Sequence, residues 1–331
     1  MGLLVNGKWD DLAQSVPTQN GDFARQPSTF LDVVTADGSS GFKAEPGRYH
    51  LYVAYHCPWA WRTILFRKLK KLENVISITF VVPNDRTEGW AFGHFADCGP
   101  DEINGFRHLH QAYTAARPGF TGKVTVPVLW DRKTKTIVNN ESSQIIRMLN
   151  SAFEDFTNAH EDYYPPELRA EIDAVNERVY ATVNNGVYRC GFAATQESYE
   201  QAFDLLFETL DWLEARLGSE RYLAGGRITE ADWRLLATLL RFDIVYNPLF
   251  KCNKRTIASY ANLSNYMREL YQVSGVAETV KVRHIVCGYY SIPLTNRTGI
   301  IPKGPAGYEE WLSQPQDRNR LPSSQAVAPS R

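Results

Sequence analysis

No apolar run in this sequence approaches the ~18 residues of a membrane-spanning helix, and its opening stretch, MGLLVNGKWDD, lacks the basic start, apolar core and small-residue cleavage site of a secretory signal. Neither a membrane span nor export is expected, and Asn6 stands where a myristoylation signal has Ser or Thr. An excess of one charge is missing too: 36 Lys and Arg face 37 Asp and Glu, a formal net charge of -1. That balance gives no electrostatic reason to expect a nucleic-acid partner or an anionic membrane surface. Paired cysteines are absent. Cys57, Cys98, Cys190, Cys252 and Cys287 are odd in number and scattered, without the C-x-x-C spacing of metal sites or dithiol redox motifs. They read as free thiols in a reducing compartment, the cytoplasm. His108 and His110 form a short H-x-H, but no third ligand is suggested, so the pair reads as part of a solvated helix or loop and no metal is expected. There is no internal repeat.

What is present fits two domains, the soft expectation for 331 residues at about 150 per domain. Residues 1–46, rich in Gly, Ser, Asp and Gln, read as an N-terminal extension draped over the fold. From 47 the pattern tightens. RYHLYVAY (48–55) predicts a strand, PWAWRTILFRKLKKL (58–72) a helix with Trp61, Ile64, Leu65, Leu69 and Leu72 on one face, and NVISITFVV (74–82) a second strand, together a βαβ unit. The cluster Arg67, Lys68, Lys70 and Lys71 reads as the wet face of that helix. A loop-rich insertion over about 83–105, carrying RTEGWAFG, is followed by a helix at 106–116, the strand KVTVPVLWD (123–131), a short strand at Ile137 and Val138 and the helix ESSQIIRML (141–149). Beyond 150 the strands stop. Helical spacing runs through 166–186, 198–217, 229–242 and 262–273, with a capping box at Thr229 and Asp232. The division is thus an α/β domain over 47–151, an all-helical domain over 152–312 and a flexible tail over 313–331, where Pro and Ser replace apolar residues.

The chemistry-bearing stretch is LYVAYHCPWAWRT (51–63). A helix beginning at Pro58, whose missing amide suits the first helical position, makes Cys57 the N-cap. There the positive end of the helix dipole favours a thiolate, and Arg62 adds charge one turn later, so the thiol should ionise below the free value of ~8.5 and act as a nucleophile. The competing reading makes Cys57 a small buried apolar residue. Ala60 decides which chemistry is open: a dithiol enzyme has a second cysteine there, whereas here an outside thiol must resolve any mixed disulfide. In TVPVLWD, Pro127 costs a ladder hydrogen bond and belongs at a strand edge or a turn, where cis bonds occur. In a thioredoxin-like sheet such a proline lies beside the active cysteine and leaves the preceding backbone free to pair with an extended peptide.

YHCPWAWRT, EGWAF, KVTVPVLWD, TIVNNESSQIIRMLN, NNGVYRCGFA, RFDIVY, FKCNKR and GIIPKGP stand in an order and spacing that resembles the glutathionyl-hydroquinone reductases, the Xi-class, omega-like cysteine glutathione transferases, over about residues 47–306. The resemblance implies a thioredoxin-like glutathione-binding domain followed by an all-α glutathione-transferase domain, a homodimer, glutathione as co-substrate and a small aromatic substrate. It implies that Cys57 takes glutathione from a glutathionyl-hydroquinone as a mixed disulfide, which a second glutathione resolves. Carried over by residue, glutathione is held by Trp90, by Lys123, Val124, Thr125 and Val126 ahead of Pro127, and by Glu141 and Ser142. Glu141 suits the ligand's ammonium, the Val126 backbone its cysteinyl unit, and Ser142 at a helix start a carboxylate. Ordinary helix-start capping is the other reading of Glu141 and Ser142. Tyr188, Tyr246 and Tyr289 correspond to hydroxyls lining a quinone pocket, with Tyr188 the proton donor. CGYYSIPLTNRTGI departs from the family's tyrosine pair with a nearby His, leaving Tyr289 or Tyr290 as the pocket hydroxyl. A broader glutathione thioltransferase or dehalogenase, or a carrier of aromatic compounds with little turnover, are the alternatives.

Overall fold

The structure is a computed structural model describing residues 2–13, 18–85 and 87–323. Arg86 of the expected insertion, parts of the expected extension (1 and 14–17) and residues 324–331 of the expected tail lie outside the described residues. Two compact units result: Met1–Val16 with Arg25–Glu161, and Pro17–Ala24 with Asp162–Arg331.

Within the stretch 1–46 some apolar side chains are buried, Leu4 fully and Val34 and Phe30 nearly so, while Leu12, Leu31 and Val33 are exposed. In the first unit Leu3–Val5 (β1) and Lys8–Asp10 (β2) form an antiparallel ribbon, and Val34–Thr35 (β5) pairs in parallel with Phe42–Lys43 (β6). Thr18–Gln19 (β3) and Asp22–Phe23 (β4) pair within the second unit.

A four-stranded sheet organises the first unit, in the order β10-β9-β7-β8. Its strands are β7 (Tyr49–Val53), β8 (Ser77–Phe80), β9 (Val128–Asp131) and β10 (Thr136–Asn139). β7 and β8 are parallel, joined by a crossover through α1 (Pro58–Leu69), while β9 runs antiparallel to both β7 and β10. Every residue of β7 and β9 is buried, which explains their continuous apolar and aromatic runs. β9 begins only after Pro127, not at 123, because proline offers the ladder no N–H. A bidentate pair locks β7 to β9 at their ends: Arg48 Nε and Nη2 donate to the two Asp131 carboxylate oxygens at 3.0 and 2.7 Å. α2 (His110–Ala116) and α3 (Ser142–Ser151) complete the unit.

The basic cluster at the end of α1 is only in part a solvated face: Lys71 is exposed and Lys68 partly so, but Arg67 and Lys70 are not. Arg67 is turned inward and donates to the carbonyls of Ile76 and Glu73 at 2.6 and 3.0 Å, and Lys70 is fully buried with its ammonium 2.7 Å from the Glu161 carbonyl. Chain carbonyls near a helix C-terminus draw cations in, which periodicity alone does not reveal.

The second unit is helical apart from β3 and β4. It contains α4 (Arg169–Val179), α5 (Gly186–Phe192), α6 (Gln196–Ser219), α7 (Glu230–Arg241), α8 (Asn247–Leu249), α9 (Ala261–Tyr271), α10 (Val282–Tyr290) and α11 (Tyr308–Leu312). π-helical turns at Tyr180–Asn184 and Phe242–Tyr246 follow α4 and α7. All twelve residues of α7 are buried, so it is the helix the others surround. The capping box at its start is formed: Asp232 Oδ2 accepts from the Thr229 amide at 2.7 Å. Arg318 is fully buried and donates to the carbonyls of Leu217, Glu220 and Arg221, capping the end of α6. No helix among the described residues is long and apolar enough to cross a membrane.

Candidate active site

Cys57 is the N-cap of α1, with extended backbone (φ -73°, ψ 119°) and Pro58 at the first helical position. The chain reaches it straight from β7, so the thiol stands at a strand-to-helix turn, half-buried, where the dipole of a twelve-residue helix favours negative charge on sulfur. Its Sγ lies 3.8 Å from the Val126 carbonyl, and the Val126–Pro127 bond is cis. The cysteine and the TVP segment, far apart in sequence, are thus brought together. The Val126 amide makes no backbone hydrogen bond among the described residues, which leaves it for an extended ligand.

Around this pair the other expected glutathione ligands are distributed along two segments. The Trp90 indole N–H donates to the Val124 carbonyl at 3.0 Å and its ring stacks on His56 at 5.3 Å, so Trp90 braces the 123–127 segment while presenting ring surface. Lys123 is half-buried, and desolvation with the nearby Arg25 charge pushes its ammonium down to about 8. Arg62 is buried with its guanidinium 4.6 Å from the Trp59 ring centre, and Arg25 lies 4.7 Å from the same ring centre.

Glu141 is the N-cap of α3. Its Oε1 accepts from the Ser143 amide and hydroxyl at 3.0 and 2.9 Å, and Oε2 from the Ser28 hydroxyl at 2.9 Å. Burial raises its ionisation, but these bonds and the Arg62 charge outweigh that and hold the carboxyl below its usual range. Capping therefore is one of its jobs. Among the described residues Oε2 accepts one bond, from Ser28, so capacity remains for a cation. Ser142 is different: 2% exposed, its hydroxyl has no hydrogen-bond partner among the described residues. A buried orphan hydroxyl at the start of a ten-residue helix is what an anionic ligand would satisfy.

Sequence reasoning missed the groups that hold these two segments together. The buried Tyr113 hydroxyl donates to the Thr125 carbonyl at 2.8 Å and accepts from the Thr125 amide at 3.1 Å and from Asn140 Nδ2 at 3.0 Å. Asn140 Oδ1 in turn accepts from the amides of Thr29 and Phe30, and Asn139 Oδ1 from the Glu141 amide. The NNES run was a visible signal, but Tyr113 carried none.

In the second unit the three expected tyrosines form a chain. Tyr289 Oη is 2.6 Å from Tyr188 Oη and 2.7 Å from Tyr246 Oη. Tyr246 is fully buried, and desolvation, then the neighbouring Tyr188, raises its phenol well above its usual value. Tyr188 is half-buried among Phe23, Phe192 and Phe250. Gly191 makes room: a Cβ there would lie 2.4 Å from the Phe250 ring. The H-x-H pair, finally, acquires a third neighbour that sequence spacing did not suggest, Glu88.

The chain matches the glutathione S-transferase N-terminal domain over residues 56–152 and the glutathione S-transferase C-terminal domain over 196–269. It is 52% identical to the glutathionyl-hydroquinone reductase PcpF of Sphingobium chlorophenolicum, covering 92% of this chain and 97% of that relative. A Xi-class glutathione transferase from Natrialba magadii superimposes with a TM-score of 0.90 at 40% identity, covering 98% of each chain. The glutathione-bound structure of YqjG from Escherichia coli K-12 gives 0.87 at 45% identity, covering 96% of this chain and 99% of that one.

Proposed function

Because the chain belongs to the glutathionyl-hydroquinone reductases, the Xi class of glutathione transferases, we propose that it reduces glutathionyl-hydroquinones to hydroquinones with glutathione as co-substrate. The observation that carries the mechanistic part of this reading is Cys57, an N-cap thiol beside the Val126 carbonyl with alanine, not cysteine, three positions on.

The Cys57 thiolate attacks the sulfur of the conjugate. An S–S bond forms to the glutathionyl group, the bond from that sulfur to the aromatic carbon breaks, and the departing electron pair takes a proton to give the hydroquinone. A second glutathione thiolate then attacks the glutathionyl sulfur of the mixed disulfide. Glutathione disulfide leaves and the Cys57 thiolate returns. Glutathione is read as lying along Val126, with Ser142 receiving a carboxylate, Glu141 Oε2 the ammonium, and Trp90 and Lys123 flanking it. Tyr188 is assigned as proton donor, supported by its hydrogen bond to Tyr289, which in turn meets Tyr246. A homodimer located in the cytoplasm completes the reading; light scattering tests the former.

Intact-mass analysis provides the decisive experiment. Reaction with a glutathionyl-hydroquinone and no added thiol should leave one glutathionyl group on the protein, mapped to Cys57, and Cys57→Ser should release no hydroquinone while still binding glutathione. An adduct on another cysteine, or turnover by Cys57→Ser, removes the proposed nucleophile. Tyr188→Phe should lower kcat by about 10²-fold or more, the range of general acid catalysis, with little change in glutathione affinity. A thioltransferase of broad range would instead turn over mixed disulfides faster than quinone conjugates.

A further inference from the structure

Away from the cysteine, three metal-ligating side chains converge in the first unit. The link is made by backbone pairing: Leu109 N donates to the Trp90 carbonyl at 2.8 Å, Phe92 N to the Arg107 carbonyl at 2.9 Å, and Ala91 bridges His108. Segments 90–92 and 107–109 therefore run antiparallel, and the residues just outside them, Glu88 and His110, meet beside His108. Glu88 Oε2 lies 2.9 Å from His110 Nε2 and 3.4 Å from His108 Nδ1, and the three ligand atoms are all within 4.8 Å of one another.

Around a tetrahedral cation with bonds of about 2.0–2.2 Å, neighbouring ligand atoms stand roughly 3.3 Å apart. Two of the three separations here are already near that figure, and Glu88, with 47% of its side chain exposed, has room to adjust. The histidines are less free. Their rings are parallel to within 7°, and Trp9 stacks on His110 at 5.4 Å. Trp9 is itself tied by its indole N–H to Asp11 at 2.8 Å. Gly89, at φ +81°, lies against that indole so closely that a Cβ would come within 2.7 Å of it. Gln111 accepts from the amides of Arg107 and His108 at 2.7 and 3.0 Å, fixing the approach to His110. The positions of both imidazoles are thus set by packing before any ligand arrives.

We infer that Glu88, His108 and His110 bind a divalent cation of the zinc class. Two imidazoles and one carboxylate select a borderline cation over magnesium or calcium, which take oxygen ligands, and three protein ligands leave a fourth position for water. The cation joins the loop before Trp90 to the start of α2. No part of this depends on the reaction assigned to Cys57.

Full-length protein, stripped with a chelator, is dialysed against zinc alone. Wild type should bind one equivalent more than Glu88→Gln, His108→Ala or His110→Ala, and each substitution should weaken that equivalent by more than the roughly 100-fold reached by loss of an outer-shell partner. Cobalt bound at the same equivalent should show no thiolate charge-transfer band. Equal stoichiometry in wild type and variants, or a thiolate band that disappears with the equivalent, overturns the site. Glu88→Gln keeps the side-chain shape on a half-exposed loop, so it decides the matter should either histidine variant fail to fold.

Discussion

Ser142 and Lys123 allow the ligand reading to be tested one side chain at a time. The Ser142 hydroxyl is buried and has no partner among the described residues, so Ser142→Ala should leave the melting temperature of the free protein unchanged or raise it. It should also weaken glutathione binding by about 10–100-fold, the worth of ~1.5–3 kcal/mol for a hydrogen bond to a charged group; calorimetry separates the two effects. Lys123 gives a pH signature. Its ammonium, lowered to about 8, binds an anion only while protonated, so affinity for S-methylglutathione should fall as pH rises through that value. Lys123→Met should bind more weakly and lose that component of the pH profile. At this scale the sequence was legible where a residue type and its local position sufficed, as with Cys57 before Pro58 or Glu141 before a helix. Tyr113, Ser28 and Glu88 were not legible, because each acquires its role from a segment far away along the chain.

Between elements, the junction of α2, the 123–127 segment and α3 depends on one phenol. Tyr113→Phe strips the Thr125 amide of its acceptor and leaves Asn140 Nδ2 only the Thr125 hydroxyl at 3.5 Å, at a cost of about 1–3 kcal/mol for the group left unpaired. It should lower the urea midpoint and raise KM for glutathione more than it lowers kcat. The β7–β9 pair has an acid-sensitive lock. Burial raises Asp131, but the Arg48 guanidinium, the Thr134 hydroxyl and the Lys133 amide hold it below its usual range. A carboxylate whose pKa falls on folding stabilises above its unfolded value of about 4 and loses that contribution as acid protonates it. The wild-type urea midpoint should therefore drop below about pH 4 more steeply than that of Arg48→Met, which itself starts about 3–5 kcal/mol less stable. Strands, helices and the α7 capping box were readable from period and cap residues. The inward turn of Arg67 and Lys70, the late start of β9 and the docking of Arg318 were not, since each answers to carbonyls or a ladder that only the folded chain supplies.

Across the whole molecule four of the five thiols differ in burial and surroundings enough to be told apart. Cys190 and Cys252 are buried, and desolvation, followed by the neighbouring Cys190, raises Cys252 well above its usual value. Cys98 is half-buried and pushed up to about 12 by burial, with Asp97 adding to it. Brief iodoacetamide treatment of the folded protein near neutral pH, read by peptide mass mapping, should thus label Cys57 first, with Cys98, Cys190 and Cys252 following only on denaturation. Both the α/β-then-helical plan and the assignment to a family were visible before any coordinates, because apolar period and a block of contiguous motifs survive reading in one dimension.

The wide turn at Tyr180–Asn184 has an implication for how this chain tolerates change. A π turn carries one residue more than the α-helical winding on either side, so excising that residue would leave a continuous α-helix. Because the wide turn and an α turn each close about one revolution, the deletion would leave everything downstream facing nearly the same way. Tyr188 would keep the hydroxyl of Tyr289, and a shortened protein with ordinary helicity by circular dichroism should retain its phenol chain, whereas the same deletion inside α5 would rotate Tyr188 away.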